Sequence, residues 1–407
     1  MKNRGAKKGK KAFLALAVLI LAVLFFCAGA QTAAMPFAKA SAAQTAAKAS
    51  ASSKSTKTKK SSAKPKVSEY KRLQTKLKKE LEKKKFSKQV NFLFYDTFER
   101  LYKNYPTWKK GYKDLPSREK YITENLINVI KSIQKIDFYA VGTKKGNEME
   151  EEANSLGWTT FDEKDRLVVS IIANKAGKAD ADARNRDVED FFHEISHCKQ
   201  GSIMIYSSDY FNGNKKVENL YLEGAATFNM KFANPLSDDV GGIWPIENKK
   251  GTREIQYCKD TGCGYIVDLN MYEKLVYLAG YGTMDKVERG KVPLSAVEKA
   301  IGKKYGKKQA KKFIKTMNDC YVAYMKSHKG DRVYNLAIDL EKQFLKFVER
   351  DIDALKTKKQ AKSFKQIYDV YIERNLPAVV NPKTSKSLTR KIFNLSALDK
   401  KLSKKLR

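Results

Sequence analysis

Beyond residue 67, apolar residues recur every three to four positions through most of the chain, the period of a helix with one buried face. Ser68 to Tyr105 is a long charged stretch that acquires this stripe toward its end, through Val90, Phe92, Leu93, Phe98 and Leu101. Ser117 to Lys135 repeats it, with Ser117 placed to cap the helix and Glu119 in its first turn. The period then shortens. Ile136 to Val141, Trp158 to Phe161 and Arg166 to Ala173 are short, β-branched and bounded by turn residues, which predicts strands. After a loop from Asn174 to Arg186, Asp187 is placed to cap a helix whose apolar stripe is Val188, Phe191, Ile195 and Cys198. Helical patterns follow at Val217 to Phe232, Leu269 to Leu278, Ser295 to Tyr305, Lys308 to Ser327, Asp331 to Leu355 and Ala361 to Leu376, and Asn381 to Arg407 reads as a short amphipathic end piece. The expected class is α+β and predominantly helical, with a small antiparallel or mixed sheet and a helical C-terminal part from about residue 293.

The first 66 residues lack this periodicity. Met1 to Lys11 carries six basic residues and no acid, Ala12 to Phe26 is uninterruptedly apolar, and Ala28-Gly29-Ala30 is a small-residue cleavage site. That order predicts a signal peptide over residues 1–30; the alternative is an uncleaved anchor, since Ala12 to Ala30 is just long enough to span a bilayer. Phe26 before Cys27 does not suit lipoprotein processing. Residues 31–66 are Ala, Ser, Thr and Lys with eight lysines and no acid, the composition of a disordered basic linker. Residues 67–407 are then the exported domain, secreted or held at the cell surface.

Charge and cysteine content refine this picture. A formal net charge of +36 favours an anionic partner. For an exported chain that partner is an anionic cell-wall polymer or a membrane surface met through the linker, with plain solubility as the competing explanation. Nucleic acid is not expected, because no recognition module accompanies the lysines. Cys258 and Cys263 bracket a turn-like tetrapeptide between Arg253–Tyr257 and Gly264–Val267, which predicts a hairpin closed by a local disulfide. Cys198 falls on the apolar stripe of its helix, and Cys320 is ambiguous.

With only three histidines in 407 residues, two stand four apart in His193-Glu194-Ile195-Ser196-His197. Residues i and i+4 share a helix face, so both imidazoles can reach one cation while Glu194 reaches its bound water. Catalytic zinc takes three protein ligands and a water. His328, in a basic helix-end segment, reads as a surface residue. Glu223, in Leu222-Glu223-Gly224-Ala225-Ala226, is the third-ligand candidate, because its small neighbours allow two helices to approach closely. Glu218 is the second choice. Gly282-Thr283-Met284-Asp285 resembles the aspzincin ligand signature but is one residue short of its spacing. Tyr277 and Tyr281 are candidates for stabilising an oxyanion.

His193-Glu194-x-x-His197 followed by Leu222-Glu223-Gly224-x-Ala226 resembles the gluzincin group of zinc metallopeptidases over about Asp187 to Phe232. The resemblance implies a zincin-like fold with Zn²⁺ held by His193, His197 and Glu223. It implies Glu194 as general base in peptide-bond hydrolysis, and a peptide substrate lying along an upstream strand, Arg166 to Ala173. The chain departs from the group's thermolysin-like members at Thr227, where they carry an aspartate. The longer metzincin motif is excluded by Gln200 and Ile203. The competing class is a non-catalytic surface-binding protein with a structural metal site, for which an intact Glu194 has no use.

Overall fold

The helix α1 (Glu69–Lys84) buries Leu73, Leu77 and Leu81, an i, i+4, i+8 stripe, and is followed by Lys85 in the left-handed region at φ 53°. Ser87 then accepts the Val90 N–H and starts α2 (Lys88–Gly111), so the first long helical pattern is two helices. These coordinates are a computed structural model, which describes residues 68–112, 114–153, 155–205, 217–233, 246–249, 252–255, 264–326, 330–369, 376, 379–380 and 387–407. The expected signal peptide and linker, Cys258, Cys263 and His328 lie outside the described residues. Contacts divide the chain after Arg72, and Leu73–Arg407 is one compact unit.

Ser117 caps α3 (Arg118–Ile122) through the Lys120 N–H, as its position predicts. The chain continues through a π-helical turn at Thr123–Ile127 into α4 (Val129–Ser132) and then the first strand. The sheet has the order β1-β3-β2, with β1 (Ile133–Ala140) parallel and β2 (Gly157–Phe161) antiparallel to the central β3 (Leu167–Ala173). The parallel crossover from β1 uses α5 (Lys144–Ala153). β3 is apolar almost throughout and almost wholly buried, with both α5 and the histidine helix packed against the sheet.

That topology corrects the expected substrate strand. β3 is hydrogen-bonded along both edges, so its main chain has nothing left to offer a peptide. The antiparallel edge is β2. Ile172 N–H donates to Leu156 O at 2.8 Å and Asp162 N–H to Arg166 O at 2.9 Å, which places 156, 158, 160 and 162 in hydrogen-bonded pairs. By alternation, Gly157, Thr159 and Phe161 turn their main-chain groups outward. Ser155 Oγ occupies those of Gly157, whereas the N–H and C=O of Thr159 have no partner among the described residues.

The histidine helix α6 (Ala181–Ile205) starts six residues before the expected cap. Asp180, not Asp187, accepts the first-turn Ala183 N–H, at 2.8 Å. Asp187 instead accepts the Asn174 main-chain and side-chain N–H groups, tying the end of β3 to the helix. Next comes α7 (Glu218–Ala233). The predicted hairpin is displaced: β4 (Ile246–Lys249) pairs with β5 (Thr252–Ile255), while Gly264–Val267 opens the helix α8 (Gly264–Ala279). The helical stripe from Leu269 through Tyr272 and Leu275 to Val276, buried against α7, outweighs the local β preference of those first residues.

The remaining helices are α9 (Tyr281–Glu288), α10 (Ser295–Tyr305), α11 (Lys307–Lys326), α12 (Asp331–Asp353), α13 (Lys358–Ile367), α14 (Thr389–Ile392) and α15 (Leu395–Leu406). A short β6 (Val379–Val380) lies parallel to β4. Overall the described chain is mostly helical with small sheets, the α+β class expected from its periodicity. No described helix is long and apolar enough to cross a membrane.

Gly224 has a different role from the expected one. A Cβ there would meet Asp268 O at 2.8 Å and Tyr272 Cβ at 2.9 Å, so the missing side chain admits α8, not α6. Gly224→Ala gains about 1 kcal/mol of helix propensity and loses about 1–3 kcal/mol to overpacking. The nearest atom is backbone and cannot rotate aside, so the expected result is a lowered urea midpoint with unchanged slope. An increased midpoint would show that α7 and α8 separate freely.

Candidate metal centre

α6 presents two functional faces set by helical period. His193, His197 and Gln200 (i, i+4, i+7) face α7, whereas Glu194, Cys198 and Gly201 face the sheet. Glu223 sits in the second turn of α7 and reaches across to the histidines. Ala226 and Thr227, both buried, follow it at i+3 and i+4 on the same side of the helix.

The structure brings His193, His197 and Glu223 together. The two Nε2 atoms are 3.0 Å apart, and Glu223 Oε2 is 3.2 Å from one and 3.3 Å from the other. A tetrahedral zinc with bonds of about 2.0–2.1 Å holds its ligand atoms about 3.3 Å apart, so this triangle needs shifts of only a few tenths of an ångström to fit. Side-chain exposure is 12% for His193, 7% for His197 and 27% for Glu223, so the cluster is enclosed except on the glutamate side. Within the described residues this is the one group of three histidine or acidic side chains whose ligand atoms converge in this way.

His197 is oriented by Gln200, whose identity in the sequence bears only on the absence of the metzincin motif. Gln200 donates Nε2–H to Leu222 O at 2.9 Å, which turns its Oε1 toward His197 Nδ1 at 2.8 Å. An amide oxygen only accepts, so Nδ1 carries a proton and the Nε2 lone pair is directed at the cluster. The same amide ties α6 to the main chain beside Glu223. The available signal was helical spacing, three residues past His197.

Electrostatics express the demand for positive charge. Burial alone would depress the His197 pKa; the adjoining Glu223 carboxylate outweighs it and raises the value to about 9. Burial likewise acts to raise the Glu223 pKa, and the two imidazoles hold it well below the ordinary carboxylate range. Asp190, one turn before Glu194, is pushed up to about 7 by burial and by Glu189, Glu194 and Asp187.

Glu194 lies beneath β2. Its Oε2 accepts the Thr159 hydroxyl at 2.8 Å, and Oε1 has no protein partner among the described residues. Cys198, buried on the same face, is a core thiol as its stripe predicts, with burial pushing its pKa up. Cys320 is likewise buried and free.

Other candidates are placed elsewhere. Asp285 pairs with Lys199 at 3.0 Å and Arg289 at 3.1 Å; against the opposing effect of burial, these cations hold its pKa down at about 2. Tyr277 donates to Asp351 Oδ2 at 2.8 Å on α12, and the Tyr281 hydroxyl is buried against Asn125 at 3.4 Å. Neither tyrosine is positioned as an oxyanion donor. Glu218 begins α7 and is not part of the triangle.

A buried ionic lattice holds these helices in place. Lys199 of α6 reaches Glu288 at 2.5 Å as well as Asp285; Glu288 accepts from Asn229 of α7 at 2.9 Å; and Lys231 of α7 pairs with Glu273 of α8 at 2.8 Å. No protein family matches the chain, and neither a curated protein nor a solved structure does. The chemistry of the site therefore rests on its own geometry.

Gln200→Leu is expected to weaken zinc binding about 10–100-fold, Glu223→Ala more than that, and Glu218→Ala not at all, by competition with a chelating dye. Without metal, Glu223 contributes stability above its ordinary pKa of 4.5 that is lost on acidification, and His197 contributes stability below 6.5 that is lost as pH rises through about 9. The stability gap between metal-free wild type and Glu223→Gln should thus be widest between pH 4.5 and 6.5 and close by pH 9. Zinc affinity should rise over the upper interval, roughly tenfold per pH unit, as the His197 proton is displaced.

Proposed function

We propose that the protein is an exported zinc-dependent peptidase. The observation that carries this is the pairing of the His193–His197–Glu223 triangle with a carboxylate, Glu194, that belongs to the same helix and takes no part in the triangle. A structural zinc site is closed by four protein ligands, whereas three ligands leave a position open to water. Bound there, zinc would lower the pKa of its water toward roughly 7 and polarise a carbonyl.

The remaining steps belong to the chain's own residues. Glu194 offers Oε1 to take a proton from the attacking water and return it to the departing amine, a role worth about 10²–10⁴ in rate. Gln200 keeps His197 in the tautomer that leaves Nε2 free for the ion. The outward N–H and C=O of Thr159 suit main-chain pairing with an extended peptide, which would lie directly beside Glu194. The zincin-like arrangement is supported by the antiparallel edge strand lying over the helix that carries both histidines. Export is carried by the leader's charge and apolar order, and contact with an anionic polymer or membrane surface by the lysine-rich segment after it.

Glu194→Gln is expected to keep zinc at one ion per chain and to lose at least 10²-fold in cleavage of unstructured peptides. Chelation should abolish the wild-type activity and added zinc restore it. Cleavage at equal rates by both proteins would remove Glu194 from the mechanism, and wild type that binds zinc without cleaving any peptide would leave a metal-holding surface protein.

A further inference from the structure

The edge strand does more at this site than offer a pairing surface. Thr159 Oγ1 lies 2.8 Å from Glu194 Oε2 and 3.0 Å from Glu194 O, so the hydroxyl sits over the base and against its main chain at once. Two residues earlier, Gly157 occupies the same face of β2. A Cβ there would stand 2.9 Å from Glu194 Cγ and 3.2 Å from Ile171 Cδ1. One strand position is thus emptied to admit the stem of the glutamate, and the next on that face supplies a donor to its head. One turn further along α6, the Cys198 side chain also meets the Thr159 hydroxyl.

Resting on the peptidase reading, we infer that Thr159 is a positioning residue for Glu194: its hydroxyl holds Oε2, in a slot opened by Gly157, so that Oε1 alone is presented to the attacking water.

Three features of the chain support this. A glutamate has three rotatable side-chain bonds, and a general base that wanders loses the proximity on which its rate depends. Threonine is β-branched and stiff at χ1, so its hydroxyl is a better fixed anchor than a longer donor would be. Thr159 is also the residue of β2 whose main-chain N–H and C=O are outward and unpartnered among the described residues. A peptide paired to that main chain would therefore be held by the residue whose side chain holds the base, setting the distance between the scissile bond and Glu194.

The test compares Thr159→Val, which keeps shape and branching but removes the hydroxyl, with Thr159→Ser, which keeps the hydroxyl. Both are made in the zinc-loaded exported chain and assayed with a fluorogenic peptide. Thr159→Val is expected to lose about 10–100-fold in kcat with KM within about twofold and zinc affinity unchanged. Thr159→Ser is expected to recover most of kcat. A readout independent of turnover is the Glu194 side chain in crystals of each zinc-loaded protein: one conformer in wild type and Thr159→Ser, and a displaced or divided one in Thr159→Val. Unchanged kcat in Thr159→Val, or equal loss in Thr159→Ser, overturns the assignment. Should wild type bind zinc yet cleave no peptide, the peptidase reading fails, and the conformers alone decide: an undisturbed Glu194 in Thr159→Val removes the anchor.

Discussion

Three electron-rich atoms from two helices are held within 3.3 Å of one another, and that arrangement is stable only with a positive charge among them. In the protein alone the charge is a proton, which is why His197 is so basic against the pull of burial and Glu223 so acidic. A divalent cation satisfies the same demand more completely, since it replaces two poorly shared hydrogen bonds with direct coordination. The rest of the site can be understood as the means of keeping α6 and α7 close enough for that demand to persist.

Those means are mainly buried and polar. Lys199, Asp285, Glu288, Asn229 and Arg289 link α6, α7 and α9, and Lys231 with Glu273 links α7 to α8. Buried ion pairs of this kind add little net stability compared with apolar packing, but removing one partner costs about 3–5 kcal/mol because the other charge is stranded. They therefore specify one relative placement of the helices and penalise alternatives. Gly224 complements them by letting α8 press closely against α7 beside Glu223.

The opposite face of α6 answers to the sheet. An antiparallel edge strand differs from the central strand in having one set of main-chain groups unused, and here that strand carries both the slot for Glu194 and its hydrogen-bond donor. The face that carries the two histidines and the face that carries Glu194 are therefore fixed by separate partners, α7 and β2. A single helix can separate the two roles because residues 193 and 194 diverge by about 100° around its axis.

Much of this was legible in the residues themselves. Local period marks helices and strands, so Ser295–Tyr305 and the strand ending at Ala173 stand where the pattern puts them. The i, i+4 spacing of His193 and His197 places both imidazoles on one face whatever the surroundings, and Glu223 was singled out by its small neighbours, although the glycine among them serves α8. What one dimension could not convey was the identity of the partners across space. Asp187 and Asp180 are equally good caps until Asn174 claims the first, and Tyr277 is a candidate oxyanion donor until Asp351 is brought beside it. Gly264–Val267 has the local preference of a strand until burial against α7 rewards a helix, and β3 offers an edge until β1 and β2 cover both sides. Short-range preferences are set by each residue's own backbone and neighbours. Contacts such as Gln200 with Leu222 O, or Thr159 with Glu194, join residues 22 and 35 positions apart, and only the folded arrangement of helices and sheet decides them.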